Sequence, residues 1–145
     1  VTNRYIPDDF FHRTPVEIRF RDLDPLKHVN NAVFNTYLEE ARIQFIDNIP
    51  ELRLSMEQGF SFVLAHIDLK YIKPVFYDEK IMVCNSVKSI GNTRVSTVQA
   101  IYNLENELKA FAETRGVWYD VEKKQPAKLP EIKNRNQYLI KPADG

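Results

Sequence analysis

The sequence predicts an α+β fold in which one long apolar helix is wrapped by a curved antiparallel sheet. The first sign is the stretch Asn31 to Asn48, where Phe34, Tyr37, Leu38, Ala41 and Phe45 recur at helical spacing. The second is a change of period to two from Phe60 onward, sustained through four long segments. The third is a pair of turn signals, Gly91-Asn92 and Asn103 to Glu107, that separate the last three segments as hairpins do. A strand, a long helix and then four strands leave one helix and one sheet to bury each other's apolar faces.

The elements follow in order. Residues 1–13 read as an irregular arm. Pro15 to Arg21 alternates Val16, Ile18 and Phe20 against Glu17 and Arg19, so it reads as a half-buried strand. Asp22 to Asn30 is a loop carrying Pro25. Asn30 is placed to cap the helix, its side chain accepting an orphan backbone N–H. Val33 and Ile43 widen the helix's apolar face. Pro50 breaks the chain, and Glu51 to Gln58 reads as a short second helix ending at Gly59. Phe60 to Tyr71, Ile81 to Ile90, Thr93 to Tyr102 and Leu108 to Val121 are the four strands, with Pro74 and Tyr77-Asp78-Glu79 breaking the pattern after the first. Strands this long leave an edge that invites a second copy. Residues 122–145 form a polar tail with Pro126, Pro130 and Pro142, expected to lie along the surface.

Composition narrows the function. The 145 residues suit one domain, 1–145, with no repeat. Twenty basic and 20 acidic side chains cancel, so no net field draws the chain to nucleic acid or an anionic membrane. The only cysteine, Cys84, lies in an apolar run and excludes an intrachain disulfide. The first residues are mixed and charged, unlike a signal peptide or a membrane span, and a cytoplasmic location is the expectation. Three histidines without close spacing give no metal-site pattern, and neither a metal nor a cofactor is expected.

The chemistry concentrates in the loop before the helix. Arg19-Phe-Arg-Asp-Leu-Asp24-Pro-Leu-Lys-His28-Val-Asn-Asn31 brings two acids, a histidine and two asparagines to a helix start. Free N–H groups and a partial positive charge there would polarise a substrate carbonyl as charge grows on its oxygen. A carboxylate in the loop could attack that carbonyl or activate a water. On chemistry alone an ordinary turn explains the same residues, since Asp-x-Asp-Pro is a common turn and Asn-Asn a common helix entry.

The run Phe20-Arg-Asp-Leu-Asp24-Pro-Leu-Lys-His28-Val-Asn-Asn-Ala-Val-Phe34, followed by Tyr37-Leu-Glu-Glu-Ala-Arg42, resembles the opening of the 4-hydroxybenzoyl-CoA thioesterase-like family. Phe62 to Ile67, Tyr71 to Val75, Ser89 to Thr93 and Ala110 to Asp120 extend the resemblance over the strands, leaving out the arm and the tail. The resemblance implies a hotdog fold and hydrolysis of an acyl-CoA. It implies that Asp24 is the catalytic aspartate, as nucleophile or general base, and that the Asn31 N–H is the oxyanion donor. It implies a dimer or tetramer with active sites at the dimer interface. Relatives with a bulky aromatic at the oxyanion position differ from this chain, which has Asn31.

Other residues carry two readings each. Asp22 reads as a loop or capping acid beside Asp24. His28 could bond near the substrate or orient the loop. Asn30 is placed beside the substrate as well as at the cap. Glu39 and Glu40 are alternatives for a catalytic acid on the helix, against a solvated or interface role. His66 reads as structural. Lys70, Lys73, Arg94 and Arg115 are candidates for the phosphates of coenzyme A, against the ordinary reading of solvated charges. Asp22-Leu-Asp24-Pro-Leu-Lys-His28 also resembles the Asp-x-Asn-Pro-x-His pattern of hotdog hydratases, but with Asp24 for the asparagine and one extra residue before His28. A hotdog module that binds acyl thioesters without cleaving them, and an acyl carrier protein in place of coenzyme A, are the further alternatives.

Overall fold

The computed structural model describes residues 5–142, so Val1 to Arg4 of the arm and the last three residues of the tail lie outside the described residues. Strands β1 (His12–Val16), β2 (Phe60–Tyr71), β3 (Ile81–Ile90), β4 (Arg94–Asn103), β5 (Leu108–Asp120) and β6 (Gln125–Pro126) form a six-stranded sheet. All the pairings between its strands are antiparallel. The order is β1-β3-β4-β5-β2, with β6 added beside β5. Helix α1 (Asn31–Asp47) lies on one face, and α2 (Pro50–Glu57) leads to Gly59, whose φ of 101° lets the chain turn into β2. This is the α+β arrangement expected, with element ends within a residue or two for α1, α2 and the last four long strands.

The first strand is the exception. The expected strand over Pro15 to Arg21 is displaced toward the N-terminus: β1 runs from His12 to Val16, and Phe20–Asp22 is a 3-10 turn. The cause is partner length. His12 pairs with Asn85 and Val16 with Ile81, the first residue of β3, so nothing remains for Glu17 onward to pair with. Ile18 stays buried, whereas Phe20 is 77% exposed.

The arm and tail are also more ordered than expected. Pro7–Asp9 form a 3-10 turn, and Phe10 is buried against Cys84, Tyr102 and Phe111 on the sheet face away from α1. The tail carries β6 and a further turn, and buries Leu129, Ile132 and Tyr138 against α1 and β5. Ile140 N donates to Val87 O at 2.8 Å, and Lys141 N to Asp9 O at 3.2 Å, so tail and arm are tied together.

Helix α1 forms as its spacing dictates. The Asn30 side chain accepts from Ala32 N at 2.9 Å, which supplies the N-cap. Phe34, Tyr37, Leu38, Ala41 and Phe45 are all buried, each large apolar side chain being worth about 1.5–3 kcal/mol. Ile43 does not widen the buried stripe: it is exposed.

The core beneath α1 is divided. One part gathers Phe34, Leu38, Val83 and Ile101; the other gathers Phe45, Ile46, Trp118 and Leu129. Between them runs a polar belt on the helix-facing side. Gln99 Nε2 donates to Asn85 Oδ1 at 2.7 Å and to the Leu38 carbonyl at 2.9 Å, and Gln99 Oε1 accepts from Arg42 at 3.0 Å. Arg42 is 5% exposed, and Asn85 and Gln99 are fully buried. His12 extends the belt outward, within 3.3 Å of both the Asn85 and the Asn48 side-chain amides. Among the described residues no buried side-chain N or O lacks a partner, as buried polar groups require.

Candidate active site

The loop between β1 and α1 folds back on itself. Pro25 presets the second position of a turn closed by Lys27 N to Asp24 O at 2.9 Å. The Asp24 side chain supports it, Oδ1 accepting from Leu26 N at 2.9 Å. Lys27 then takes φ 68°, which reverses the chain. His28 returns opposite Asp24, whose N–H donates to the His28 carbonyl at 2.9 Å, and Leu23 and Val29 bridge behind them. The histidine Nδ1 lies 3.4 Å from Asp24 Oδ2, with both side chains partly exposed.

Helix α1 starts directly after this loop. The Asn31 N–H is one of the first-turn amides that no helix carbonyl can accept, and no acceptor takes it among the described residues. His28 and Asn31 line one groove of about 300 Å³ with Phe34, Tyr71, Lys73 and Pro74. The Tyr71 hydroxyl donates to the Asn31 carbonyl at 3.3 Å, joining two of the residues that line the groove. Larger cavities of 520 and 720 Å³ flank β1, and neither contains Asp24, His28 or Asn31.

Asp22 has a structural place. It is 2% exposed and accepts from the Tyr37 hydroxyl at 2.7 Å and from Arg19, at 3.0 Å from the backbone and 3.2 Å from the guanidinium. Burial pushes its carboxyl up, but the Tyr37 and Arg19 hydrogen bonds outweigh this and hold it below the usual carboxylate value. Its carbonyl accepts from Asn30 N at 2.9 Å, which closes the loop onto the helix start. Burial and the Asp22 hydrogen bond push the Tyr37 hydroxyl up in return.

The remaining candidates disperse. Glu40 lines the cavity between β1 and α1, and Glu39 is exposed. Lys73 stands at the groove, paired with Glu107 at 2.9 Å. Lys70 lies on the opposite face of β2 from Leu69 and Tyr71, because strand side chains alternate. Arg94 is in register with Val117, which pairs with Val63, roughly 26 Å along β2 from Tyr71 at about 3.3 Å per residue. Arg115 and His66 line a small polar depression with Asp68, Lys88 and Glu113. Cys84 is buried, and burial pushes its thiol up to about 12, which keeps it protonated and inert. Among the described residues no group of three His, Cys, Asp or Glu could hold a metal ion, and no helix is long and apolar enough to cross a membrane.

Sequence reasoning overlooked the support behind this site. Lys109 is 4% exposed, and its Nζ reaches Glu79 at 2.9 Å and the Pro74 carbonyl at 3.0 Å. The signal was a lysine set between Leu108 and Ala110-Phe111 at the apolar start of the strand.

Comparison with known proteins agrees with this architecture. Residues 18–135 match the model of the thioesterase-like superfamily. The chain is 27% identical over 123 residues to the acyl-acyl carrier protein thioesterase ATL2 of Arabidopsis thaliana, covering 83% of this chain and 64% of that protein. It thus spans less than two thirds of that relative. It is 22% identical to the long-chain acyl-CoA thioesterase FadM of Escherichia coli, covering 89% of this chain and 99% of that one. A solved Thermus thermophilus thioesterase complexed with coenzyme A and Zn is 35% identical, with a TM-score of 0.72, and covers 85% of this chain and 94% of that one. With the antiparallel sheet, the helix packed on one of its faces and the loop at its start, these matches place the chain in the thioesterase-like superfamily, with the hotdog fold.

Proposed function

We propose that the chain hydrolyses an acyl-coenzyme A to the free acid and coenzyme A, with the Asp24 carboxylate acting at the thioester carbonyl. The observation that carries this reading is that His28 and Asn31 line one groove, with the Asp24 carboxylate 3.4 Å from the His28 imidazole. The carbonyl oxygen sits over the helix start, where the Asn31 N–H and the helix dipole stabilise the charge that develops on it. Asp24 either attacks the carbonyl carbon or takes a proton from an attacking water. In both routes the C–S bond breaks and coenzyme A leaves as thiolate, a good leaving group; after direct attack the acyl group is left as a mixed anhydride on Asp24, which water then hydrolyses to the free acid and the regenerated carboxylate. His28 orients the carboxylate through its 3.4 Å contact. Lys73 supplies a cation for the phosphates of coenzyme A, and its exposed pair with Glu107 costs little to exchange.

Two features favour an assembled site. Strand β2 presents a free edge of 12 residues, with Val63 and Leu64 exposed on it. Tyr71, the last residue of that edge strand, also lines the groove, so a second copy paired along β2 would lie beside it. The coenzyme A bound to the Thermus thermophilus relative favours that carrier over a protein one.

The test is thiol release from short, medium, long and aromatic acyl-CoAs, with acyl carrier protein substrates alongside. Wild type should release thiol, and Asp24→Asn should be slower by about 100-fold or more. No release from any thioester overturns the reading. Unchanged turnover in Asp24→Asn removes Asp24 and shifts attention to Glu40.

A further inference from the structure

We infer that the buried ion pair Glu79–Lys109 is a positioning couple for the thioester site, acting through the segment that backs Asp24 and His28; this rests on the function proposed above. The pair touches neither Asp24 nor the groove's interior. It holds the backbone that does. Lys109 fastens the groove wall three times: its carbonyl accepts from Ile72 N at 2.9 Å and Lys73 N at 3.1 Å, and its Nζ donates to the Pro74 carbonyl at 3.0 Å. Glu79 fastens the next residues. Its Oε1 accepts from Phe76 N at 3.0 Å, and its own N–H returns to the Phe76 carbonyl at 3.0 Å.

The segment so held meets the catalytic loop directly. Val29 N donates to the Val75 carbonyl at 2.8 Å, and Val75 is fully buried. Phe76 bridges His28 through the backbone, and its ring stands edge-on to the imidazole at 6.1 Å. His28 in turn sets Asp24, through backbone and side chain. The path from Lys109 to Asp24 is thus an unbroken series of hydrogen bonds and ring contacts.

The pair is unusual in cost as well as place. Lys109 is nearly fully buried, and burial of a charge is unfavourable unless every polar site is matched. Here they are matched: Glu79 also accepts from Asn103 at 3.0 Å, and Lys109 reaches both Glu79 oxygens and a carbonyl. Burial alone would raise the Glu79 carboxyl, but Asn103, Phe76 and Lys109 outweigh it and keep the group ionised. Well-packed apolar residues of similar volume often replace such a pair without loss of stability. What they could not supply is the donor to Pro74 and the acceptor for Phe76.

The test uses the full chain with Glu79→Gln, Lys109→Met and the double variant, each assayed at a temperature where circular dichroism shows it folded. Each single variant should lose at least about tenfold in kcat, with KM for acyl-CoA within about threefold of wild type, as misplacement of a reacting group does. The double variant should be no slower than the slower single, because the two residues act as one unit. Wild-type kcat in either folded single, a loss confined to KM, or losses that multiply in the double would each overturn the couple. Amide NMR signals of Asp24, His28 and Val29 give a readout free of catalysis. They should shift in Glu79→Gln, and unmoved signals overturn the inference. If wild type cleaves no thioester while those signals do shift, the proposed reaction fails and the positioning role stands.

Discussion

Asn31→Pro tests the oxyanion assignment while leaving the helix in place. Asn31 is the first residue of α1, where proline is well accommodated because its missing N–H had no helix acceptor. Asn30 before it has φ −61° and ψ 135°, the extended conformation that a residue preceding proline adopts. The Tyr71 hydroxyl bonds the Asn31 carbonyl, which proline keeps. The cap from Asn30 to Ala32 N is likewise untouched. Stability should therefore change by less than about 0.5 kcal/mol, or roughly 2 °C in Tm for a chain of this size. Removal of one oxyanion donor costs about 3 kcal/mol in the transition state, or about 10²- to 10³-fold in kcat. The assay is thiol release on the best acyl-CoA, beside thermal unfolding of the same sample. A kcat within about threefold of wild type, with Tm unchanged, would refute the assignment of the carbonyl to this amide.

Three further outcomes follow from the geometry. Gln99→Met leaves Arg42 and the Asn85 oxygen without their buried partner, which should cost about 3–5 kcal/mol and lower Tm by roughly 10 °C in a melting curve; a drop of a degree or two would show that the belt relaxes. Gly116→Ala places a methyl 2.6 Å from the Val63 carbonyl oxygen as well as against the Phe62 ring, so it should destabilise by about 1–3 kcal/mol in urea unfolding, and Phe62→Leu should not restore it fully. The depressed Asp22 carboxyl contributes stability that is complete above its ordinary value of 3.8 and is lost as pH falls through the lower folded-state value. Tyr37→Phe removes its 2.7 Å donor, raises that folded-state value and should move the acid-unfolding midpoint to higher pH; an unmoved midpoint would show that Asp22 does not govern it.

What could be read from the sequence were the features with a local cause. The stripe from Phe34 to Phe45, the cap at Asn30 and the turn at Gly91-Asn92 each depend on residues a few positions apart. The turn at Pro25 and the helix start at Asn30 were legible for the same reason, whereas the reversal at Lys27, a lysine with positive φ, carries no mark in its residue type. The features that escaped depend on distant partners. Nothing in Val16, Ile18 and Phe20 reveals that β3 begins opposite Val16, so the alternation carried the expected strand too far. Asn85 and Gln99 read as ordinary polar positions until a folded sheet sets them beneath Arg42. Lys109 and Glu79 are 30 residues apart, and a lone lysine in a strand reads as a solvated charge. Lys70 and Arg94 could be assigned to strands, but how far Arg94 lies from the groove follows only from register.

The knot between arm and tail has a consequence for how the molecule comes apart. Phe10 covers Cys84, Tyr102 and Phe111, Ile140 packs on the same face, and Lys141 N holds Asp9 O. Neither flank can peel away without loosening the other, so the two open as one cooperative unit although they are the most separated parts of the sequence. Amide protons near Asp9 and near Ile140 should exchange at matched rates. A protease cut in either flank would strip the cover from the same aromatic patch and leave a species that self-associates.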